Sequence, residues 1–167
     1  MLYNLSDMPT NTRLCQVLNA DRIRRKCAEV TSTEGLQELI WKMIRACVAG
    51  VGIGLAAPQI GVFKRLFVAQ ETPGVFRAYI NPSFTVIPGS TRSTEIEGCL
   101  SVPGKALPVS RYVDIVASWT ELTPEGTLEN QKHAFVGYPA RVFQHELDHL
   151  NSISIIDRYN YQRGKKT

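Results

Sequence analysis

Two histidines four residues apart enclose a glutamate in His145-Glu146-Leu147-Asp148-His149. On a helix, positions i and i+4 stack on one side, so both imidazoles can reach one metal ion. Glu146 projects from the same region and can take a proton from water that such an ion activates. A solvated helix can spell the same five residues, so the pattern needs company. A catalytic metal site usually holds three protein ligands and one open position. Downstream, Ser152 and Ile155 stand where the metzincin pattern wants Gly and His, and Asp157 is the one remaining carboxylate. The third ligand is therefore sought upstream. Cys99, inside Glu97-Gly98-Cys99-Leu100-Ser101, is bracketed by Gly98 and Pro103 in a predicted loop, where a thiolate can face an ion. A thiolate with two neutral imidazoles suits a first-row metal. His133, in a strand-like run, is the rival ligand.

These residues need elements to carry them. Pro139 suits the first turn of a helix, and Phe143, Leu147 and Leu150 give that helix an apolar face behind the two histidines. A second, amphipathic helix is predicted at about 33–49. Leu36, Leu39, Ile40, Met43, Ile44, Cys47 and Val48 mark its buried face, Thr31 and Glu34 are spaced as a capping box, and Gly50 supplies the stop. The small residues of Gly52-Ile53-Gly54-Leu55-Ala56-Ala57-Pro58-Gln59 cannot continue that helix.

Strand-like runs follow at Arg65–Ala69, Arg77–Ile80, Ser83–Ile87 and Arg111–Thr120. Turn signals at Thr72-Pro73-Gly74, Pro88-Gly89 and Pro124-Glu125-Gly126 separate them. Val113, Ile115, Ala117 and Trp119 share one face of the longest run. Strands between two helices predict an α+β fold with mostly antiparallel sheet. An ion pair between Arg111 and Asp148, which lies between the two histidines, is expected to fix the metal helix against the strand that starts at Arg111.

The chain has 167 residues, 44% of them hydrophobic and 20% charged, as expected for one globular domain with a core that needs no disulfides. No apolar run approaches a membrane span, and Met1 to Leu14 lacks the basic start and apolar block of a secretory signal. Four cysteines without C-x-x-C pairing are expected to be reduced, with Cys15, Cys27 and Cys47 as small core residues. The net charge is +4, concentrated in Arg22, Arg24, Arg25 and Lys26 and in Arg163, Lys165 and Lys166. Neither cluster is interleaved with aromatics, so both read as solvated surface rather than a specific nucleic-acid site.

Three motifs thus stand in order: Gly52 to Gln59, Glu97 to Ser101, and Gln144-His145-Glu146-Leu147-Asp148-His149-Leu150. Together they resemble the three signature motifs of the peptide deformylases. The resemblance runs over roughly residues 12 to 158 and includes Ile80-Asn81-Pro82. It implies antiparallel sheets packed around a central H-E-x-x-H helix within one catalytic domain, residues 1–167.

It also implies removal of the formyl group from N-formyl-Met nascent peptides. One divalent ion is held by Cys99, His145 and His149, with Fe(2+) native and Zn(2+), Ni(2+) or Co(2+) able to replace it. Glu146 is then the base, Gln59 and the Leu100 amide stabilise the oxyanion, and Gly54 and Gly98 lie beside the substrate. The implied setting is a monomer in the cytoplasm, or the host cytoplasm for a viral source, in transient contact with the ribosome. Two departures stand out. The tail, residues 159–167, is short and polar where many members have a long helix. Gly104-Lys105-Ala106 follows Pro103 where an arginine is often found, which leaves Lys105 as the substitute.

Overall fold

The computed structural model describes residues 1–164. Its strands are β1 (Leu2–Asn4), β2 (Gly54–Ala56), β3 (Leu66–Thr72), β4 (Val75–Val86), β5 (Arg92–Gly98), β6 (Ala106–Tyr112), β7 (Asp114–Leu122) and β8 (Leu128–Val136). Its helices are α1 (Leu36–Ala49), α2 (Tyr138–Leu150) and α3 (Ile155–Gln162). The main sheet has the order β2-β3-β4-β7-β8, with β1 added to β4, and a separate ribbon pairs β5 with β6. All of these pairings are antiparallel. The fold is α+β, as the sequence predicts.

Alternation along β3 explains why the sheet is covered on both faces. Leu66 and Val68 join the cluster that includes Leu36, Ile40, Met43, Ile44 and Cys47 of α1. Phe67 and Ala69 point the other way, into a cluster with Ala140, Phe143, Leu147 and Leu150 of α2. Successive side chains of a strand face opposite sides, so one strand serves both helices. The α2 side is rich in aromatics: Phe67 stacks on Tyr79 with centroids 4.6 Å apart, and Phe143 meets both rings edge-on. Such pairs add specific geometry to the area they bury. The ribbon flanks α2 elsewhere. Gln144 takes the Tyr112 N–H at 3.1 Å and donates to the Tyr112 carbonyl at 2.8 Å.

Several expectations are corrected. The first helix starts at Leu36, not near 33, and Thr31 and Glu34 form no capping box. Gly35 occupies the N-cap with φ at 66°, so the chain turns there, and Ser32 Oγ instead accepts the Glu34 N–H at 3.2 Å. The runs at Arg77–Ile80 and Ser83–Ile87 are one strand, β4, with a register shift between Ile80 and Ser83. The irregularity is held by Asn81, at φ 50°, whose amide bonds the Val30 N–H at 2.8 Å and its carbonyl at 2.9 Å. The run at Arg111–Thr120 is two strands, and Arg111 lies near the end of β6. Ile115, Ala117 and Trp119 are buried as expected.

The tail is also more structured than its polarity suggests, since α3 extends through Gln162. Ser154 caps it, accepting the Asp157 N–H at 3.3 Å while Asp157 takes the Ser154 N–H at 2.8 Å. Lys165 and Lys166 of the basic tail lie outside the described residues.

Candidate metal centre and active site

His145 and His149 lie on α2 and Cys99 follows the last residue of β5, so a helix and a hairpin turn bring them together. One ligand atom from each falls within 4.8 Å of the others. Cys99 Sγ is 3.2 Å from His149 Nε2. A thiolate and two imidazoles at this separation suit a zinc- or iron-type divalent ion, so the donor set fits the metal implied by the motifs. His133 is not part of the cluster; it is exposed on β8 with its ring 5.5 Å from that of Trp119.

A buried ionic network supports the cluster. His145 Nδ1 lies 2.9 Å from Glu97 Oε2, which leaves Nε2 for a metal. Arg111 Nε and Nη2 donate to the two oxygens of Glu97 at 2.7 and 2.8 Å. The expected Arg111–Asp148 pair is present at 2.8 Å. Arg141 Nη1 reaches Glu97 Oε1 at 2.6 Å, and Arg158 of α3 donates to both oxygens of Asp148. A ligating histidine is usually oriented by a partner on its other nitrogen, and for His145 that partner is Glu97. Among the described residues, His149 Nδ1 has none.

The sequence reading gave no role to Glu97, Arg141 or Arg158. Arg141 carried a signal, since it stands four residues before His145 on the same helix face. Glu97 stood inside a motif. Nothing in the chain pointed to Arg158.

Burial and charge set the protonation of the metal-free site. Glu146 is pushed up to about 7 by burial, against the opposing charges of His145 and Arg111. Its Oε2 is buried without a partner among the described residues. Burial alone would lower His145, but its bonds to Cys99 and Glu97 and the charge of Glu146 carry it up to about 10. Burial drives His149 the other way, well below the ordinary imidazole value, helped by the charges of His145 and Arg111. Glu97 is held well below the usual carboxylate range: burial opposes this, but hydrogen bonds from His145 and Arg111 prevail.

The first motif wraps around these groups. A Cβ on Gly54 would fall 2.5 Å from Glu146 Oε1, so only glycine lets the carboxylate lie there. Gly52 makes similar room for Leu100, whose Cδ1 would be 2.8 Å from an added Cβ. Gln59 is buried. Its Oε1 accepts the Ala56 N–H at 2.7 Å, and its Nε2 donates to Ser101 Oγ at 3.1 Å and lies 3.9 Å from Cys99 Sγ. A cleft of about 470 Å³ opens over the cluster, lined by Gly54, Gln59, Gly98, Leu100, His145 and Glu146 among others, with Lys105 at its margin.

Comparison with known proteins agrees with this geometry. The sequence profile of the polypeptide deformylases matches residues 13–165. This chain belongs to the polypeptide deformylase family. A peptide deformylase of Thermotoga neapolitana is 39% identical over 137 residues, covering 81% of this chain and 80% of that protein. The crystal structure of the Thermotoga maritima peptide deformylase superposes with a TM-score of 0.78 at 35% identity, covering 87% of this chain and 97% of that one. A Met-Ala-Ser-bound peptide deformylase from Acinetobacter baumannii gives 0.76 at 29% identity, covering 88% and 99%. The activity of the family is metal-dependent hydrolysis that removes the N-formyl group from nascent peptides, and it is the activity of this chain.

Proposed function

We propose that residues 1–167 act as one catalytic unit that releases formate from formyl-methionyl peptides, with one divalent ion on Cys99, His145 and His149 and with Glu146 as the base. The reading is carried by the meeting of these three donors with a buried glutamate and a buried glutamine at one cleft. The proposed native ion is Fe(2+), with Zn(2+), Ni(2+) or Co(2+) as replacements, since a thiolate-diimidazole set accepts any of them. When bound, the ion supplies Lewis acidity, which lowers the pKa of water toward about 7.

Glu146 takes the proton that the attacking water loses and hands it to the departing amine, so water and formamide become formate and a free N-terminus. Burial raises Glu146 above an ordinary glutamate in the metal-free site, which favours a carboxyl that both takes up and returns a proton. The oxyanion is stabilised by Gln59 Nε2 and the Leu100 N–H, donors worth roughly 3 kcal/mol each in comparable sites. Gln59 is suited to this because the Ala56 N–H already fixes its carbonyl end.

Gly54 and Gly98 flank the peptide backbone. They belong to β2, the outer strand of the main sheet, and to the ribbon strand β5, and both line the cleft. An extended peptide can add to such strands through its main chain. Apolar Ile96, Leu100 and Val142 in the same cleft suit a methionine side chain. The proposed setting is a cytoplasmic monomer in transient contact with the ribosome. No helix among the described residues is long and apolar enough to cross a membrane.

The Acinetobacter relative was solved with Met-Ala-Ser bound, and formyl-Met-Ala-Ser is the matching probe. Formate release from it by the metal-loaded chain, with peptides cleavable only internally left intact, is the expected result. Cleavage of the internal bonds instead would make the chain a metallopeptidase and end this reading.

A further inference from the structure

Ser101 closes the motif that supplies Cys99 and the Leu100 N–H, yet it does not line the cleft as they do. It is 2% exposed, as is Gln59. Its hydroxyl oxygen accepts Gln59 Nε2 at 3.1 Å, a contact that joins the first motif to the second behind the cleft wall.

A carboxamide carries one oxygen and two N–H donors, and its partners decide which way round it lies. For Gln59 the orientation is forced. The Ala56 backbone N–H can only donate, and it lies 2.7 Å from Oε1, so the NH2 group must occupy the other end. One of its two hydrogens goes to Ser101 Oγ. The second is left on a nitrogen 3.9 Å from Cys99 Sγ, beside the metal cluster. Ala56 alone would hold the oxygen and let the NH2 end tilt; the Ser101 bond removes that freedom.

The backbone holds the two partners together. The Leu18 N–H donates to the Gln59 carbonyl at 2.7 Å, and the Ala20 N–H donates to the Ser101 carbonyl at 2.9 Å. Asn19 between them is extended, so one short strap spans both motifs. Ala20 is itself anchored in a buried cluster with Val102, Val109 and Ile155. The Cys99 carbonyl accepts the Val102 N–H at 2.9 Å, which makes Leu100 and Ser101 the inner residues of one tight turn. The Leu100 amide and the hydroxyl that orients Gln59 therefore sit on the same turn.

We infer that Ser101 is a positioning residue for the oxyanion site: its hydroxyl occupies one Gln59 hydrogen and so directs the other toward the reacting carbonyl. The inference rests on the deformylase reading above and concerns a side chain that does not touch the substrate. Oxyanion donors act by being already aimed when the charge develops, so an amide free to tilt loses part of its effect.

The test is a double-mutant cycle of Ser101→Ala and Gln59→Ala in the zinc-loaded full chain, with formyl-Met-Ala-Ser as substrate and kcat expressed per bound zinc. With Gln59 present, Ser101→Ala should lower kcat about tenfold, part of the roughly 10²- to 10³-fold that a whole oxyanion donor supplies, and should leave KM within about twofold. In the Gln59→Ala background the same change should have no further effect, because residues that act as a unit are not additive. An equal kcat loss in both backgrounds makes Ser101 a structural residue and overturns the inference. Unchanged kcat in Ser101→Ala overturns it too, as does a loss that falls on KM alone. Each of these outcomes leaves deformylation standing, whereas an unaltered chain that releases no formate overturns both.

Discussion

Arg158 Nε donates to Asp148 Oδ2 at 3.0 Å, the same oxygen that accepts Arg111 Nη1 at 2.8 Å. Asp148 lies between the two metal-site histidines of α2, and Arg158 lies on α3, so the last helix is tied to the metal helix by a shared carboxylate. Groups bonded directly to a metal ligand commonly change metal affinity by 10- to 100-fold, and Arg158, which reaches His145 through Asp148, Arg111 and Glu97, should act at the low end of that range. Arg158→Gln should therefore weaken metal retention about tenfold, measured by chelator competition with zinc. Arg158→Lys, which keeps the charge, should recover part of the loss. Unchanged retention in Arg158→Gln would show that Arg111 alone suffices.

Gly54→Ala is an unusually direct test of packing against the base. In most strands this change is mildly stabilising, by about 0.5–1 kcal/mol. Here the added methyl would fall 2.5 Å from Glu146 Oε1 and displace it. The expected outcome is a metal-loaded protein with kcat reduced about a hundredfold, the scale of a lost general base. Steady-state kinetics with metal analysis on the same sample checks it.

Acid should unfold the metal-free protein through Glu97. Its folded value lies well below the ordinary 4.5, because hydrogen bonds from His145 and Arg111 outweigh burial. A carboxylate with a depressed folded value stabilises the fold above its unfolded pKa, and that contribution is lost as pH falls toward the folded value. Glu121 and Asp157 shift in the same direction. Denaturant midpoints should fall steadily below about pH 4.5, and Glu97→Gln should flatten that slope while lowering stability at neutral pH.

Oxidation should single out Cys99. A metal-ligating thiolate is also the form most open to peroxide, and oxidation past the sulfenic stage would be irreversible and cost the metal. Burial pushes the Cys47 thiol up to about 12 and also raises Cys27, which leaves both inert. Peroxide should inactivate the iron form quickly and the nickel form slowly, with mass spectrometry placing the modification on Cys99. Modification of Cys47 with Cys99 intact would remove that residue from the ligand set.

How far the chain could be read in advance follows from the range of each interaction. The i, i+4 histidines, the amphipathic pattern of α1 and the apolar face of α2 are local features, and all three reappear in the structure. Local signals failed where a distant contact decided the outcome. The amide of Asn81 reaches back to Val30 and keeps β4 as one strand through Pro82. Gly35 starts α1 by turning the chain, although Thr31 and Glu34 have the right spacing for a cap. Arg158 gave no sign of its role, because its partner becomes a neighbour only after α3 folds back. Glu97 was visible within its motif, but its four-way contact with Arg111, Arg141 and His145 needs three elements in place.

The most direct test of the account compares the chain with its Glu146→Gln variant, both zinc-loaded, for formate release from formyl-Met-Ala-Ser. Glutamine fills the same space and leaves the three ligands untouched, but it cannot carry a proton. The account predicts equal metal content and a kcat lower by at least about a hundredfold in the variant. Near-normal turnover by metal-replete Glu146→Gln would contradict it.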